Sequence, residues 1–199
     1  MTKQWFQKHA NEPYVKQASK AGLRSRAAYK LIEIQQKRNL VKKGDCVLDL
    51  GSAPGAWSEA LVKLVGVGGK VVACDLLPME AIQHVAFVQG DFLDKATQQA
   101  IQGYQVSYDV IVSDMAPDLT GQSITDQANM LELIEQAFVF CSGHLKPGGK
   151  LLVKCFSGAL QNEISTLFKN NFSKIKVIKP DASRSASKEI YLIGEGFRV

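Results

Sequence analysis

The stretch Val47-Leu-Asp-Leu-Gly-Ser-Ala-Pro-Gly-Ala-Trp-Ser58 decides the fold. A short β-rich run, Cys46–Leu50, enters a turn carrying Gly51, Pro54 and Gly55, and the apolar residues from Trp57 to Val65 then recur at helical spacing. Strand, glycine turn, helix is the opening unit of an open α/β sheet, in which ligands sit beyond the carboxyl ends of the strands. Gly51 and Gly55 lack the Cβ that would keep a backbone away from a ligand. The turn is not GxGxxG. A pyrophosphate cradle needs that spacing and an open helix N-terminus, whereas Ser52, Ala53 and Pro54 fill the turn here.

Outward from this unit the pattern alternates in kind. Further β-rich runs are Lys70–Cys74, Val85–Val88, Val110–Val112 and Leu151–Phe156, and helical periodicity is clear over Asp126–Cys141 and Leu160–Lys169. The alternation predicts βαβ units and a mostly parallel sheet with helices on both faces. Lys146-Pro-Gly-Gly149 reads as a turn ahead of the fifth strand. The link Lys179–Lys188 is too short for a crossover helix, so Ile175–Ile178 and Ile190–Ile193 should be antiparallel neighbours. Upstream, Ala28, Leu31 and Ile34 mark a helix over Ala27–Arg38, with Ser25 as its N-cap. With neither an internal repeat nor a long linker, residues 1–199 read as one domain whose first 20 residues form a flexible basic arm.

Acids follow the strands. Asp75 ends the second strand, 20 residues after Gly55, where its carboxylate can accept hydrogen bonds from both hydroxyls of an adenosine ribose. Asp91, in Gln89-Gly-Asp-Phe92, ends the third beside the adenine position, and Phe92 offers a stacking or packing face. Such a series repels a dinucleotide's phosphates and suits a zwitterionic cofactor bearing a sulfonium. A nicotinamide-dependent dehydrogenase would need the missing GxGxxG.

Charge is segregated. Residues 1–43 hold 11 Lys/Arg against 2 acids, residues 44–145 hold 3 against 13, and residues 146–199 hold 10 against 4. Basic ends around an acidic middle point to a polyanion surface separate from a small-molecule pocket. A non-catalytic RNA-binding protein would explain the ends but not the acids at the strand ends. Cys46, Cys74, Cys141 and Cys155 stand singly and the three histidines are scattered, which argues against a disulfide framework or a metal site. No run approaches the roughly 18 apolar residues of a spanning helix, and no signal-peptide pattern opens the chain, so a cytoplasmic protein is expected.

Seven ordered landmarks span nearly the whole chain: Ser25-Arg-Ala-Ala-Tyr-Lys-Leu31, Asp49-Leu-Gly-Ser-Ala-Pro-Gly-Ala-Trp57, Ala73-Cys-Asp-Leu-Leu-Pro-Met79, Gln89-Gly-Asp-Phe92, Ser113-Asp-Met-Ala-Pro117, Val153-Lys-Cys-Phe156 and Ser187-Lys-Glu-Ile-Tyr191. In these the sequence resembles the FtsJ-type ribosomal RNA large-subunit 2′-O-methyltransferases. The resemblance implies a Rossmann-like methyltransferase fold with a seven-stranded sheet and S-adenosyl-L-methionine as cofactor. The implied reaction methylates a uridine 2′-hydroxyl of 23S ribosomal RNA in the large subunit or its precursor, carried out by a monomer without metal or membrane. It implies a catalytic tetrad at Lys30, Asp114, Lys154 and Glu189, and cofactor contacts at Gly55, Trp57, Asp75, Asp91 and Asp114, to which the turn reading adds Gly51, Pro54 and Phe92. The basic ends suggest Lys16, Lys20, Arg24, Arg26, Arg184 and Lys188 as the RNA surface. Two departures stand out: Ala56 occupies the place of a second glycine, and Asp118-Leu-Thr120 replaces the usual Asn-x-Ser. A transfer RNA or messenger-RNA cap enzyme of the same superfamily is the alternative, though no added cap- or anticodon-binding domain is evident.

The tetrad makes chemical sense. A sulfonium methyl is already activated, so the protein must align an in-line displacement and make a ribose hydroxyl nucleophilic. A neutral Lys154 can accept the hydroxyl proton. Lys30 and the sulfonium push its pKa down while Asp114 and Glu189 push it up, and the net sign stays open at this point.

Overall fold

The computed structural model describes residues 24–183 and 187–198. The elements run α1 (Ala27–Arg38), β1 (Cys46–Leu50), α2 (Ala56–Val65), β2 (Lys70–Asp75), β3 (Val85–Gln89), α3 (Lys95–Tyr104), β4 (Tyr108–Ser113), α4 (Ser123–Ser142), β5 (Leu145–Phe156), α5 (Gln161–Asn171), β6 (Phe172–Ile178) and β7 (Glu189–Phe197). The seven strands form one sheet in the order β3-β2-β1-β4-β5-β7-β6. Four pairings are parallel, and β7 runs antiparallel to both β5 and β6. The expected antiparallel pair after the last helix is therefore present.

Alternation along the strands divides the core in two. Val47, Val110, Val112, Leu152, Tyr191 and Ile193 face Leu31, Ile34, Trp57 and Leu61 of α1 and α2. Leu48, Ile111, Leu151, Val153, Ile190 and Leu192 face the opposite side, with Ile101, Ile134, Phe140, Ile164 and Phe168 of α3, α4 and α5. Helices thus cover both faces, as the buried strand sequences require.

Three local readings need correction. Lys146–Gly149 is no turn ahead of a strand, because β5 already begins at Leu145. Tyr108 pairs with Leu145 and Val110 with Lys150, so the ladder slips there, and the Lys146 ammonium holds Asp109 at 2.8 Å from both carboxylate oxygens. The N-cap of α1 is Arg26 rather than Ser25, although the Ser25 hydroxyl accepts the Ala27 N–H at 3.2 Å. Helix α3 adds an element with only two buried residues, Thr97 and Ile101, too few apolar anchors to advertise a period. The four cysteines are free thiols, and Cys74, Cys141 and Cys155 are buried.

Candidate functional site

The tetrad assembles on one face of the sheet, and period two explains why. In the β5–β7 ladder Lys154 lies opposite Tyr191 and Phe156 opposite Glu189. Residues two apart on a strand share a face, so Lys154, Tyr191 and Glu189 all point toward α1. Asp114 follows the last residue of β4, two positions beyond Val112 of that face. Lys30 comes down from α1, one residue before the buried Leu31.

Two ion pairs result. Lys30 Nζ lies 3.2 Å from Glu189 Oε2, and Lys154 Nζ lies 3.3 Å from Asp114 Oδ1 while also donating to the Asp114 backbone carbonyl. Both lysine side chains are more than nine-tenths buried, which a cation tolerates only when paired. Burial alone would raise the Glu189 carboxyl, but the Lys30 and Lys154 ammonium groups outweigh it and hold that carboxyl below the usual glutamate range.

Tyr191 joins the two pairs, and no role was assigned to it from sequence. Its hydroxyl donates to Asp114 Oδ1 at 2.6 Å, and Lys30 Nζ stands 5.7 Å from its ring centroid. Its signal was the strand alternation, which puts position 191 on the same face as 189.

The turn between β1 and α2, the expected cofactor turn, lies next to this group, with Asp49 close enough to feel the Asp114 charge. Oδ2 of Asp75 accepts the Ala53 N–H and Oδ1 the Leu77 N–H, both at 2.8 Å. Asp91 accepts the Leu93 N–H at 2.9 Å. Asp49, wholly buried, accepts from Ser58 Oγ at 2.6 Å through Oδ2. Its Oδ1 has no partner, and neither has the buried Ser52 Oγ. Burial, with repulsion from Asp114 and Asp75, pushes the Asp49 carboxyl up to about 7 against the opposing Ser58 hydrogen bond. An orphaned carboxylate oxygen beside two further acids fits a ligand with a cationic donor and disfavours a phosphate. The turn therefore suits a ligand that carries positive charge.

The surroundings of the remaining turn residues change their reading. Both glycines have left-handed φ, +74° and +102°. A Cβ on Gly51 would stand 2.3 Å from Met115 Cγ, and one on Gly55 2.6 Å from Ile82 Cδ1. The space they leave is filled by the protein's own side chains. Ala56 opens α2, where a helical residue tolerates a Cβ, so the missing second glycine costs nothing conformationally. Trp57 is buried; its Nε1 donates to the Ala27 carbonyl at 2.8 Å and its ring lies 5.7 Å from that of Tyr191. It ties α1 to α2 behind the tetrad. Phe92 takes the packing alternative, its ring 5.7 Å from Phe140 in the core. Pro54 is exposed, and its carbonyl accepts from Arg24.

On the far side of Glu189 a cavity of about 550 Å³ opens between Arg26, Leu119, Asp126, Phe156, Lys188 and Glu189. Asp126 shapes it by accepting the Thr120 N–H and Oγ1–H at 2.7 Å each and the Gly121 N–H at 3.2 Å. These bonds hold the Asp126 carboxyl below the usual aspartate range. The Asp118-Leu-Thr120 departure therefore lies in the rim of this cavity. Of the expected RNA-contacting residues, Arg26 and Lys188 border it and Arg24 lies at the cofactor turn, while Lys16, Lys20 and Arg184 lie outside the described residues. No cluster of His, Cys, Asp and Glu able to hold a metal occurs among the described residues.

Comparison with known proteins agrees with the geometry. The FtsJ-like methyltransferase family model matches residues 23–197. The chain is 45% identical over 197 residues to the ribosomal RNA large subunit methyltransferase E of Marinobacter nauticus, covering 98% of this chain and 95% of that one. It is also 45% identical to the protein of the same name from Neisseria meningitidis, covering 99% and 97%. Among solved structures, a Plasmodium falciparum chain described as a ribosomal RNA methyltransferase superposes with a TM-score of 0.80 at 30% identity, over 87% of this chain and 98% of that one. The fibrillarin–Nop5p complex, at a TM-score of 0.61 and 18% identity over 87% and 85%, shares the fold.

Proposed function

The chain belongs to the FtsJ-like methyltransferase family, and from that premise we propose that it transfers a methyl group from S-adenosyl-L-methionine to the ribose 2′-hydroxyl of a uridine in 23S ribosomal RNA. The substrate is that RNA within the large ribosomal subunit or its precursor, and the protein works in the cytoplasm where those subunits are made. One observation carries the reading: two ion pairs with buried lysines, joined through Tyr191, stand beside a turn whose acids, the buried Asp49 among them, suit a cation.

S-adenosyl-L-methionine, when bound, supplies an electrophilic methyl carbon on a positively charged sulfur. Asp75 and Asp91 would hold its adenosine end, and Asp49 and Asp114 its charged end. The chain's own task is the hydroxyl. Lys154 donates a hydrogen bond to the Asp114 backbone carbonyl, and its Nζ stands 3.3 Å from Oδ1 of the same residue as an ion pair. The ammonium of this pair must first give up a proton to solvent; the uncharged amine then has a lone pair that can take the 2′-hydroxyl proton. As that proton passes to Lys154 Nζ, the O–H electron pair would become the new O–C bond while the methyl carbon's bond to sulfur breaks, its electron pair staying on the sulfur of the departing neutral thioether. Asp114 then steadies the ammonium that forms. Lys30, held by Glu189, keeps a positive charge near the oxygen as it gains electron density. The cavity beyond Glu189, with Phe156 and Leu119 on its walls, receives the base attached to the reacting ribose.

A methyl-transfer assay with labelled S-adenosyl-L-methionine on large ribosomal subunits, followed by mapping of the labelled ribose, tests the reading. Label at a uridine 2′-oxygen of 23S RNA is the expected result. Label on transfer RNA alone, or on a base, would overturn it.

A further inference from the structure

Arg24 lies just before α1, in the basic N-terminal region, yet its guanidinium turns to the cofactor turn. Nη1 donates to the carbonyls of Pro54 and Glu80, both at 3.2 Å, and Nη2 to that of Ala81 at 3.1 Å. The Glu80 carboxylate, 3.8 Å away and 92% exposed, adds little. Pro54 belongs to the turn between β1 and α2. Glu80 and Ala81 belong to the segment Leu76–His84 between β2 and β3. One planar guanidinium therefore spans two segments that are far apart in sequence.

Those segments also touch directly. A Cβ built on Gly55 would meet Ile82 Cδ1 at 2.6 Å, Met79 Sδ at 2.8 Å and Arg24 Cδ at 3.4 Å. The stem of Arg24 is thus part of the packing that its head group fastens. At the inner end the same two segments are tied by Asp75, whose carboxylate takes the Ala53 N–H on one side and the Leu77 N–H on the other. The strap is held twice, by Asp75 at its root and by Arg24 along its length.

We propose that Arg24 is a positioning residue for the cofactor site, a latch that fixes the Met79–Ile82 strap against the Ala53–Gly55 turn and so sets how tightly the methyl donor is held. Geometry also separates it from the RNA surface. Both N–H bonds of Nη1 and one of Nη2 are committed to carbonyls, so a phosphate would have to displace them. Arginine suits this role and lysine does not, since an ammonium lacks a planar fork able to reach two segments at once. The proposal rests on the reading that S-adenosyl-L-methionine binds at this turn.

The test uses the full chain, wild type against Arg24→Ala and Arg24→Lys, with S-adenosylhomocysteine as the calorimetric probe. Arg24→Ala should weaken its binding about tenfold or more, the scale of losing hydrogen bonds to a charged group. The KM for S-adenosyl-L-methionine should rise in proportion, while kcat at saturating donor stays within about twofold. Arg24→Lys should recover only part of the affinity, and it serves as the probe if Arg24→Ala does not fold. The salt dependence of ribosomal RNA binding should match that of wild type. Unchanged affinity for S-adenosylhomocysteine in both variants overturns the latch, and a shallower salt slope with unchanged cofactor affinity assigns Arg24 to the RNA surface instead. A wild-type protein that fails to bind S-adenosylhomocysteine overturns the cofactor reading itself, an outcome distinct from failure of the latch.

Discussion

The hydroxyl of Tyr191 donates to Oδ1 of Asp114 at 2.6 Å, the same oxygen that faces the Lys154 ammonium at 3.3 Å. Burial first, then the neighbouring Asp114 and Glu189 carboxylates, push the phenol far above its ordinary value, so it remains a donor at any working pH. Asp114 is thereby fixed in one orientation, and with it the carboxylate oxygen that Lys154 faces. The tyrosine ring also lies beneath Lys30, so one buried side chain sets the relative placement of both ion pairs.

Tyr191→Phe removes that hydroxyl and leaves the ring. Single-turnover methylation should fall about tenfold, the cost of one positioning hydrogen bond to a charged group at roughly 1.4 kcal/mol. Cofactor affinity should stay near wild type, because the ring still packs against Trp57. Unaltered single-turnover rates would remove Tyr191 from the mechanism.

Much of this arrangement was legible beforehand, for identifiable reasons. The five parallel strands are short apolar runs between turn residues, and their ends are where Asp75 and Asp114 lie. Residues whose function depends on pairing across elements were less legible. Tyr191 reads as one more aromatic in a strand until the β5 register sets it opposite Lys154. Trp57 and Phe92 carry aromatic faces suited to a cofactor, yet the direction each faces depends on helix rotation and loop path, and both turn to the core. Arg24 sits among basic residues, so composition grouped it with the RNA surface. Only the fold of a segment more than 50 residues away reveals the carbonyls it meets.

Lys154→Ala should leave S-adenosylhomocysteine and RNA binding nearly intact and cut single-turnover methylation at least about a hundredfold, the usual contribution of a positioned base. Lys154→Arg keeps a cation beside Asp114 but has no lone pair at neutral pH, so it should be no more active than the alanine variant. Recovery of activity in the arginine variant would show that charge alone, not proton transfer, is what position 154 supplies.

Asp49 gives the fold a pH dependence whose sign follows from its raised carboxyl. Its folded value is about 7 against 3.8 for an ordinary aspartate. The stability that it contributes is complete below about 3.8, declines as the pH rises through this window, and levels off above about 7. Asp49→Asn carries no charge at any of these values. In the absence of cofactor its stability relative to wild type should rise between pH 5 and pH 8 by on the order of 2 kcal/mol, or about 4–8 °C in Tm. The same variant should bind S-adenosylhomocysteine more weakly, because the orphaned Oδ1 no longer carries negative charge. Thermal melts at the two pH values decide it, and an equal Tm difference at both would mean that Asp49 does not titrate between them.

The RNA surface is tested by salt. Lys188 borders the cavity beside Glu189, and Lys16 and Lys20 belong to the strongly basic first 43 residues. If all three meet phosphates, each displaces roughly 0.7–0.9 of a counterion, so replacing them together by alanine should make the slope of log affinity against log salt shallower by about 2–3. Binding of S-adenosylhomocysteine should not change, since the acids around the turn form a separate site. The decline in RNA affinity should be largest at low salt and shrink as salt rises, which distinguishes lost phosphate contacts from a lost fold. Titration of large-subunit RNA at several salt concentrations, wild type against the triple variant, provides the comparison. Parallel lines would mean that these lysines are only solvated and that the phosphates are met elsewhere on the protein.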